Sequence, residues 1–290
     1  MNEESSTQGP TLTISAGKTE RHYWQDLWRY RELFYFLAWR DILVRYKQTI
    51  VGIAWAVFKP LISMLILTFV FGTVANLPSG GVPYPILVMT AMLPWQFFAT
   101  ALSESGNSLV TNSSMISKVY FPRLIVPASS VVTSLVDFCI SAVIVAGMMV
   151  YYKFSPGIEV LALPLLVLLA FGAAFGVGVW ISALMVRYRD FRIIVPFLVQ
   201  FGLYASPVGL SSSAIRESLA RSEILSEKLM ILYYLNPMAS VIDGFRWSLL
   251  GGEHTIDWPG MALSSAVVIV LVFTGIRYFR KTERTFADII

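Results

Sequence analysis

Six apolar runs, at about residues 52–74, 85–104, 126–151, 158–184, 192–208 and 258–279, divide this chain, each separated from the next by polar, Gly or Pro residues. Runs of that length match the hydrocarbon thickness of a bilayer, where backbone groups find no water to bond and a spanning segment must satisfy them within a helix. The expected fold class is therefore all-α and integral to a membrane, with six transmembrane helices in one permease-like domain, 51–280. Composition agrees, since 56% of residues are apolar and 14% charged, against about a quarter charged in soluble domains.

The flanks are different. Residues 1–22 form a polar tail that carries Lys18, Glu20 and Arg21 and has no apolar core of signal-peptide length, so the N-terminus is expected to stay uncleaved. Residues 281–290 form a second tail. Between residues 23 and 50, Trp24, Leu27, Tyr30, Phe34 and Leu37 recur at helical spacing while Arg29, Arg31, Glu32, Arg40 and Asp41 interleave. That pattern predicts one amphipathic helix lying along the membrane interface, serving at the least as an anchor. Six crossings put both termini on one side. That side carries sixteen of the Lys and Arg residues, and the opposite side only five, Lys153, Arg216, Arg221, Lys228 and Arg246. The positive-inside rule makes both termini cytoplasmic.

The segment 209–257 is too polar to span and too long for a turn, so short helices near the outer surface are expected. Asn236 and Pro237 suit an N-cap and first helical position, and Gly251 with Gly252 suits a stop, which predicts a helix over 237–250.

Residue types exclude several chemistries. Cys139 is the one cysteine, and His22 and His254 are the sole histidines, so neither a disulfide framework nor a metal centre is expected. Basic residues sit beside the spans rather than in one tract, which argues for a membrane partner and against nucleic acid. Gly17-Lys18-Thr19 is the nearest approach to a phosphate-binding loop, but the glycine required five residues earlier is Leu12. No cofactor is expected on this chain, which is read as no enzyme, and ATP and Mg, if used, belong to another polypeptide.

Lys59, Glu104 and Asp137 are ionisable residues inside the runs. Their cost in lipid makes each either a lumen residue or a buried partner of a neighbouring helix. Trp55, Phe58, Phe69, Trp95, Phe98, Phe201 and Tyr204 can stack on sugar rings and, with Lys59, form the candidate polysaccharide channel; belt and packing roles are the alternative. Two turns stand out on the side of the termini. In Asn112–Arg123, Asn112 or Ser113 can cap a short helix that Pro122 ends. The other is the charged turn Arg187-Tyr188-Arg189-Asp190.

As a set, Arg40-Asp41 with Arg45-Tyr46-Lys47, Gly52-Ile53-Ala54-Trp55-Ala56, Lys118-Val119-Tyr120-Phe121-Pro122-Arg123, Arg187-Tyr188-Arg189-Asp190, Ser206-Pro207 and Leu235-Asn236-Pro237-Met238 resemble the permease subunits of O-antigen, capsule and teichoic-acid ABC exporters. The resemblance implies a homodimer in the bacterial cytoplasmic (inner) membrane, bound to two copies of an ATPase subunit and exporting a lipid-linked polysaccharide, with gating helices before the last span. It also implies a coupling surface at Asn112, Met115, Lys118, Val119, Tyr120, Phe121, Pro122, Arg123, Arg187, Arg189 and Asp190, with Tyr120 and Phe121 as anchors. A gate for an undecaprenyl pyrophosphate is implied at Arg40, Arg45, Tyr46 and Lys47. On one helix Arg40 and Lys47 share a face while Arg45 lies about 140° away, so the three converge only if the chain turns there. Lys59 departs from the family, which more often has a neutral residue before Pro60. An exporter of small lipids or drugs is the rival within the class, and a membrane enzyme acting on lipid-linked sugars the rival outside it.

Overall fold

The computed structural model describes residues 23–47, 50–210, 212, 226–251 and 255–286. The sequence is read into α1 (Tyr23–Arg29), α2 (Arg31–Lys47), α3 (Ile50–Leu67), α4 (Tyr84–Thr111), α5 (Ser113–Ile116), α6 (Ile125–Tyr151), α7 (Leu163–Arg187), α8 (Phe191–Ala205), α9 (Ser226–Tyr234), α10 (Pro237–Leu250) and α11 (Trp258–Thr282). A π-helical extension, Thr68–Val74, continues α3, and one-turn 3-10 segments precede α7 and follow α11. No strand occurs among the described residues.

Five helices are long and apolar enough to cross a membrane: Ala54–Val74, Tyr84–Thr111, Ile125–Tyr151, Ile158–Arg187 and Trp258–Thr285. The fifth apolar run yields only the 15 residues of Phe191–Ala205, a rise of about 22 Å against a core of about 30 Å. It stops short of residue 208 because Pro207 pushes Ser206 out of helical conformation, to φ −101 and ψ 153. The second run gains instead. α4 continues past residue 104 to Thr111 because Ser103, Asn107, Ser108 and Thr111 return their side chains to carbonyls three or four residues back, which makes polar residues compatible with the helix.

α4 is the hub, packing against α6, α7, α10, α8 and α3. Its most apolar window is 72% buried, whereas that of α3 is 17% buried. Lipid offers apolar side chains as much as a neighbouring helix does, so close backbone approach has to hold such helices together. At the α7–α11 crossing a Cβ on Gly275 would lie 2.6 Å from the Gly176 carbonyl oxygen, and one on Gly176 would lie 2.8 Å from the Val272 nitrogen. Only glycine fits that seam.

The two ends of the bundle are built differently. Tyr23, Leu37, Leu109, Ile116, Phe121, Ile125, Val186, Phe279 and Phe286 form one cluster, so the first and last described residues meet at what is called below the terminal end. At the opposite end α10 begins with Asn236 accepting from the Met238 amide and stops at Gly251 with φ 58, as its sequence requires. Eleven of its 14 residues are buried, and it packs against α4, α7 and α11. Arg246, 2% exposed, donates to the carbonyls of Leu210 and Val208 at 2.8 and 3.0 Å, pinning the turn after α8 to α10. Those carbonyls are left over from a segment that Pro207 removes from helix.

The single interface helix expected over 23–50 is two helices. The stripe Leu27, Tyr30, Leu33, Phe34 and Leu37 packs inward, while Trp24, Trp28, Tyr35, Phe36 and Trp39 are exposed. α2 packs along α6. Arg40 meets Asn112 and Arg45 meets Glu104 on α4, partners eight residues apart, or about 12 Å along the axis.

Candidate functional site

α2 runs unbroken from Arg31 to Lys47, so the turn that would let Arg40, Arg45 and Lys47 converge is not found within it; Gln48 and Thr49 lie outside the described residues. The three separate. Arg40 donates to Asp41 at 2.7 and 2.9 Å and to Asn112 at 2.8 Å. Lys47 is exposed. Arg45 reaches between the spans and forms salt bridges of 2.7 Å with Glu104 and 2.7 Å with Asp137.

Asp137 also accepts from the Tyr46 hydroxyl. Burial, and then this bond to Asp137, hold the Tyr46 phenol well above its ordinary range, so it remains a donor. Two carboxylates on apolar helices would be costly in lipid if left alone, and the fork of one arginine meets both. Asp137 is thus paired from α2.

These groups border a cavity of about 320 Å³ between the end of α2, α3, α4 and α6, whose lining includes Arg45, Tyr46, Trp55, Lys59, Gln96, Glu104 and Asp137. Two members of the expected gate and two of the expected channel therefore share one polar space. Sequence reasoning passed over Gln96, Thr100 and Ser141, which line it too. A signal existed: Gln96, Thr100 and Glu104 recur every four residues in an apolar run, as do Asp137 and Ser141, and each set lies on one helix face. The cavity's apolar wall contains Phe97 and Phe138. Phe138 meets Phe97 edge-on at 5.7 Å and Phe245 of α10 at 6.2 Å.

The other channel candidates divide. Trp55 and Phe58 are exposed along α3 and Phe69 on its π-helical extension, and Phe201 and Tyr204 along α8. Lys59 is exposed beside Phe58. Trp95 is 5% exposed and fills the space over Gly202, where a Cβ would lie 2.7 Å from the ring; it packs α8 onto α4, with Phe98 against it at 5.6 Å.

At the terminal end a cleft of about 700 Å³ lies between residues 116–123 and the last described turn, with Tyr23, Lys118, Tyr120, Arg123, Arg280, Lys281, Glu283 and Arg284 in its lining. α5 is one turn, and Asn112 does not cap it. The Asn112 amide is used elsewhere, donating to the Ser108 carbonyl at 2.8 Å and accepting from Arg40. Helix ends at Ile116, well before Pro122, and Lys118, Val119 and Tyr120 are exposed. Met115 is half-buried in the terminal cluster. Phe121 is 4% exposed inside the chain's own core, and Pro122 is buried beside it, which leaves Val119 and Tyr120 as the apolar groups available to a partner. Arg187, Arg189 and Asp190 are exposed in the α7–α8 turn, outside the cleft lining.

Two proteins are similar to this chain over nearly their whole length. The O-antigen export system permease protein RfbA of Klebsiella pneumoniae is 27% identical over 260 residues, covering 89% of this chain and 95% of that protein. The O-antigen export system permease protein RfbA of Myxococcus xanthus is 28% identical over 270 residues, covering 92% of this chain and 98% of that protein. The ABC-2 type transporter family matches residues 32–250, a stretch that holds the whole polar cavity, and this multi-pass membrane chain belongs to that family.

Proposed function

We propose that this chain is the membrane-spanning subunit of an ABC exporter that carries a lipid-linked polysaccharide, such as O-antigen, across the bacterial cytoplasmic membrane. It acts as a homodimer with two copies of a separate ATPase subunit, on which ATP and Mg are bound. The observation that carries the reading is the co-linear similarity to two O-antigen export permeases from near one end of the chain to the other. Six crossings are supported by the course of α8, which starts beside the Arg187 turn and ends where the Gly209 carbonyl accepts from the Tyr84 hydroxyl at 2.7 Å, next to the start of α4. The basic residues at the terminal end then face the cytoplasm.

In this reading the Arg45 cavity admits the headgroup. Arg45 presents a planar fork suited to phosphate oxygens, and Lys59 adds a second cation to the lining. A pyrophosphate that reaches Arg45 competes with Glu104 and Asp137 for the same donors, so an empty site stays neutral and a loaded one frees two carboxylates. The exposed aromatics of α3 and α8 supply stacking faces for the sugars that follow.

The test is charge-preserving replacement of Arg45 with lysine in the full complex. A single ammonium keeps the positive charge that sets topology but cannot hold two oxygens of one phosphate in a fork. Export of the lipid-linked polymer is expected to fall about tenfold while insertion and assembly with the ATPase stay normal. Full export by Arg45→Lys removes the gate role. Normal export of the polymer after deletion of this chain removes the transport assignment itself.

A further inference from the structure

Among the described residues, Glu283 is the acidic side chain lining the terminal cleft, and its bonds are spread over several elements. Its Oε1 accepts the backbone amide of Arg123 at 2.7 Å, and its Oε2 accepts the hydroxyl of Tyr23 at 3.0 Å. Its main-chain carbonyl accepts from the Arg123 guanidinium. One residue after the last long helix thus ties together α1, the turn 117–123 and the C-terminal end of α11.

Everything around the carboxylate is anchored. Phe286 is fully buried and meets Phe279 edge-on at 5.3 Å, which fixes the backbone on the far side of Glu283. Tyr23 is buried and lies under Arg280 at 4.5 Å. Burial, and then the charge of Glu283, keep the Tyr23 phenol well above its ordinary range, so it serves as a donor throughout the physiological range. Beyond Arg123 the chain enters α6 through buried Leu124 and Ile125. On the other side, the side chains of Lys118, Val119 and Tyr120 stand in the open. The rigid half of the turn is held by Glu283, and the free half is what a partner can touch.

We infer that Glu283 is the positioning residue of the partner-coupling turn, and that the C-terminal end of the last span is part of the coupling unit with the ATPase subunit. The inference rests on the exporter reading above. A carboxylate is suited to the task because its two oxygens can accept from two different elements at once, and charge-assisted bonds are roughly twice as strong as neutral ones. The other charged side chains in the cleft lining, Lys118, Arg123, Arg280, Lys281 and Arg284, are all cationic. Loss of the Glu283 carboxylate therefore leaves only cations among the charged described residues of the lining, and leaves the Arg123 guanidinium on the residue 283 carbonyl as the remaining bond between the two.

The experiment uses the full chain assembled with its ATPase subunit in lipid vesicles, comparing wild type, Glu283→Gln and Tyr23→Phe. Glutamine preserves size but removes the charge and turns one acceptor into a donor. Two quantities are read, the stimulation of ATP hydrolysis on assembly, which needs no cargo, and the ATP hydrolysed per polymer exported. For Glu283→Gln the ATP used per polymer is expected to rise roughly fivefold, and for Tyr23→Phe, which removes a single bond, about twofold in the same direction. Unchanged stimulation and an unchanged ratio in Glu283→Gln overturn the inference. It is equally overturned if Glu283→Gln lowers only the yield of folded chain while the folded fraction couples normally, because that marks a purely structural residue. A wild-type complex that hydrolyses ATP on assembly but exports no lipid-linked polymer defeats the substrate reading alone, since the stimulation arm still reports on Glu283.

Discussion

The two charged centres are balanced differently. At the cavity one cation, Arg45, is shared by two carboxylates on apolar spans. At the terminal cleft, among the described residues, one carboxylate, Glu283, shares the lining with five cationic side chains. The difference follows from what each borders. Carboxylates on α4 and α6 sit in segments built for lipid and need a cation delivered to them, whereas in the proposed orientation the cleft faces the cytoplasm, where positive charge is favoured and Glu283 serves to organise it. The cavity should therefore be a centre of stability, and the cleft one of placement.

The largest effect separates them directly. Asp137→Ala leaves Arg45 with Glu104, itself half exposed, and leaves Tyr46 without its acceptor; a loss of about 3 kcal/mol is expected, seen as a clear fall in melting temperature in detergent. Glu283→Ala removes two hydrogen bonds near solvent and should cost about 1–2 kcal/mol. Equal losses from the two substitutions would erase the distinction. Next comes Asn112→Ala, which detaches Arg40 from the end of α4 and should cost about 1 kcal/mol, with faster proteolysis around α2 as its measure. The smallest is Glu104→Gln, expected below about 1 kcal/mol because exposed ion pairs contribute little. A double-mutant cycle should then give stronger coupling of Arg45 to Asp137 than to Glu104, and the reverse order would move the anchor to α4.

Much of this architecture could be read from the chain because lipid simplifies the code. Run length alone located five spans, and the Asn236-Pro237 and Gly251 signals placed both ends of α10. What escaped was decided by contacts distant in sequence. Nothing local breaks the helix at Tyr30; α1 is held by Tyr23 on Glu283, 260 residues away, while α2 follows α6. Phe121 looked like a partner anchor because an aromatic in a polar turn invites that reading, yet Leu109, Ile125 and Phe279 had already claimed it. Asn112 had the chemistry of a cap and was recruited by Arg40 instead. The polar stripe Gln96, Thr100 and Glu104 was legible by period but was hidden by the apolar average around it.

The aromatic row of Phe97, Phe138 and Phe245 bears on a demand that any exporter with a wide polar cargo has to meet. A membrane holding a potential drives each elementary charge with about 2.3 kcal/mol per 100 mV, so a resting pathway that conducted protons or sodium would discharge the cell between cargoes. Phe97 and Phe138 form the cavity's apolar wall, and Phe245 of α10 packs edge-on against Phe138. Three rings edge to edge offer a water wire no polar atom to continue on, and dewetting at such a constriction is itself a seal. Replacing Phe138 with serine would then turn a silent subunit into an ion leak, measurable as loss of membrane potential in vesicles that contain no cargo and no ATP.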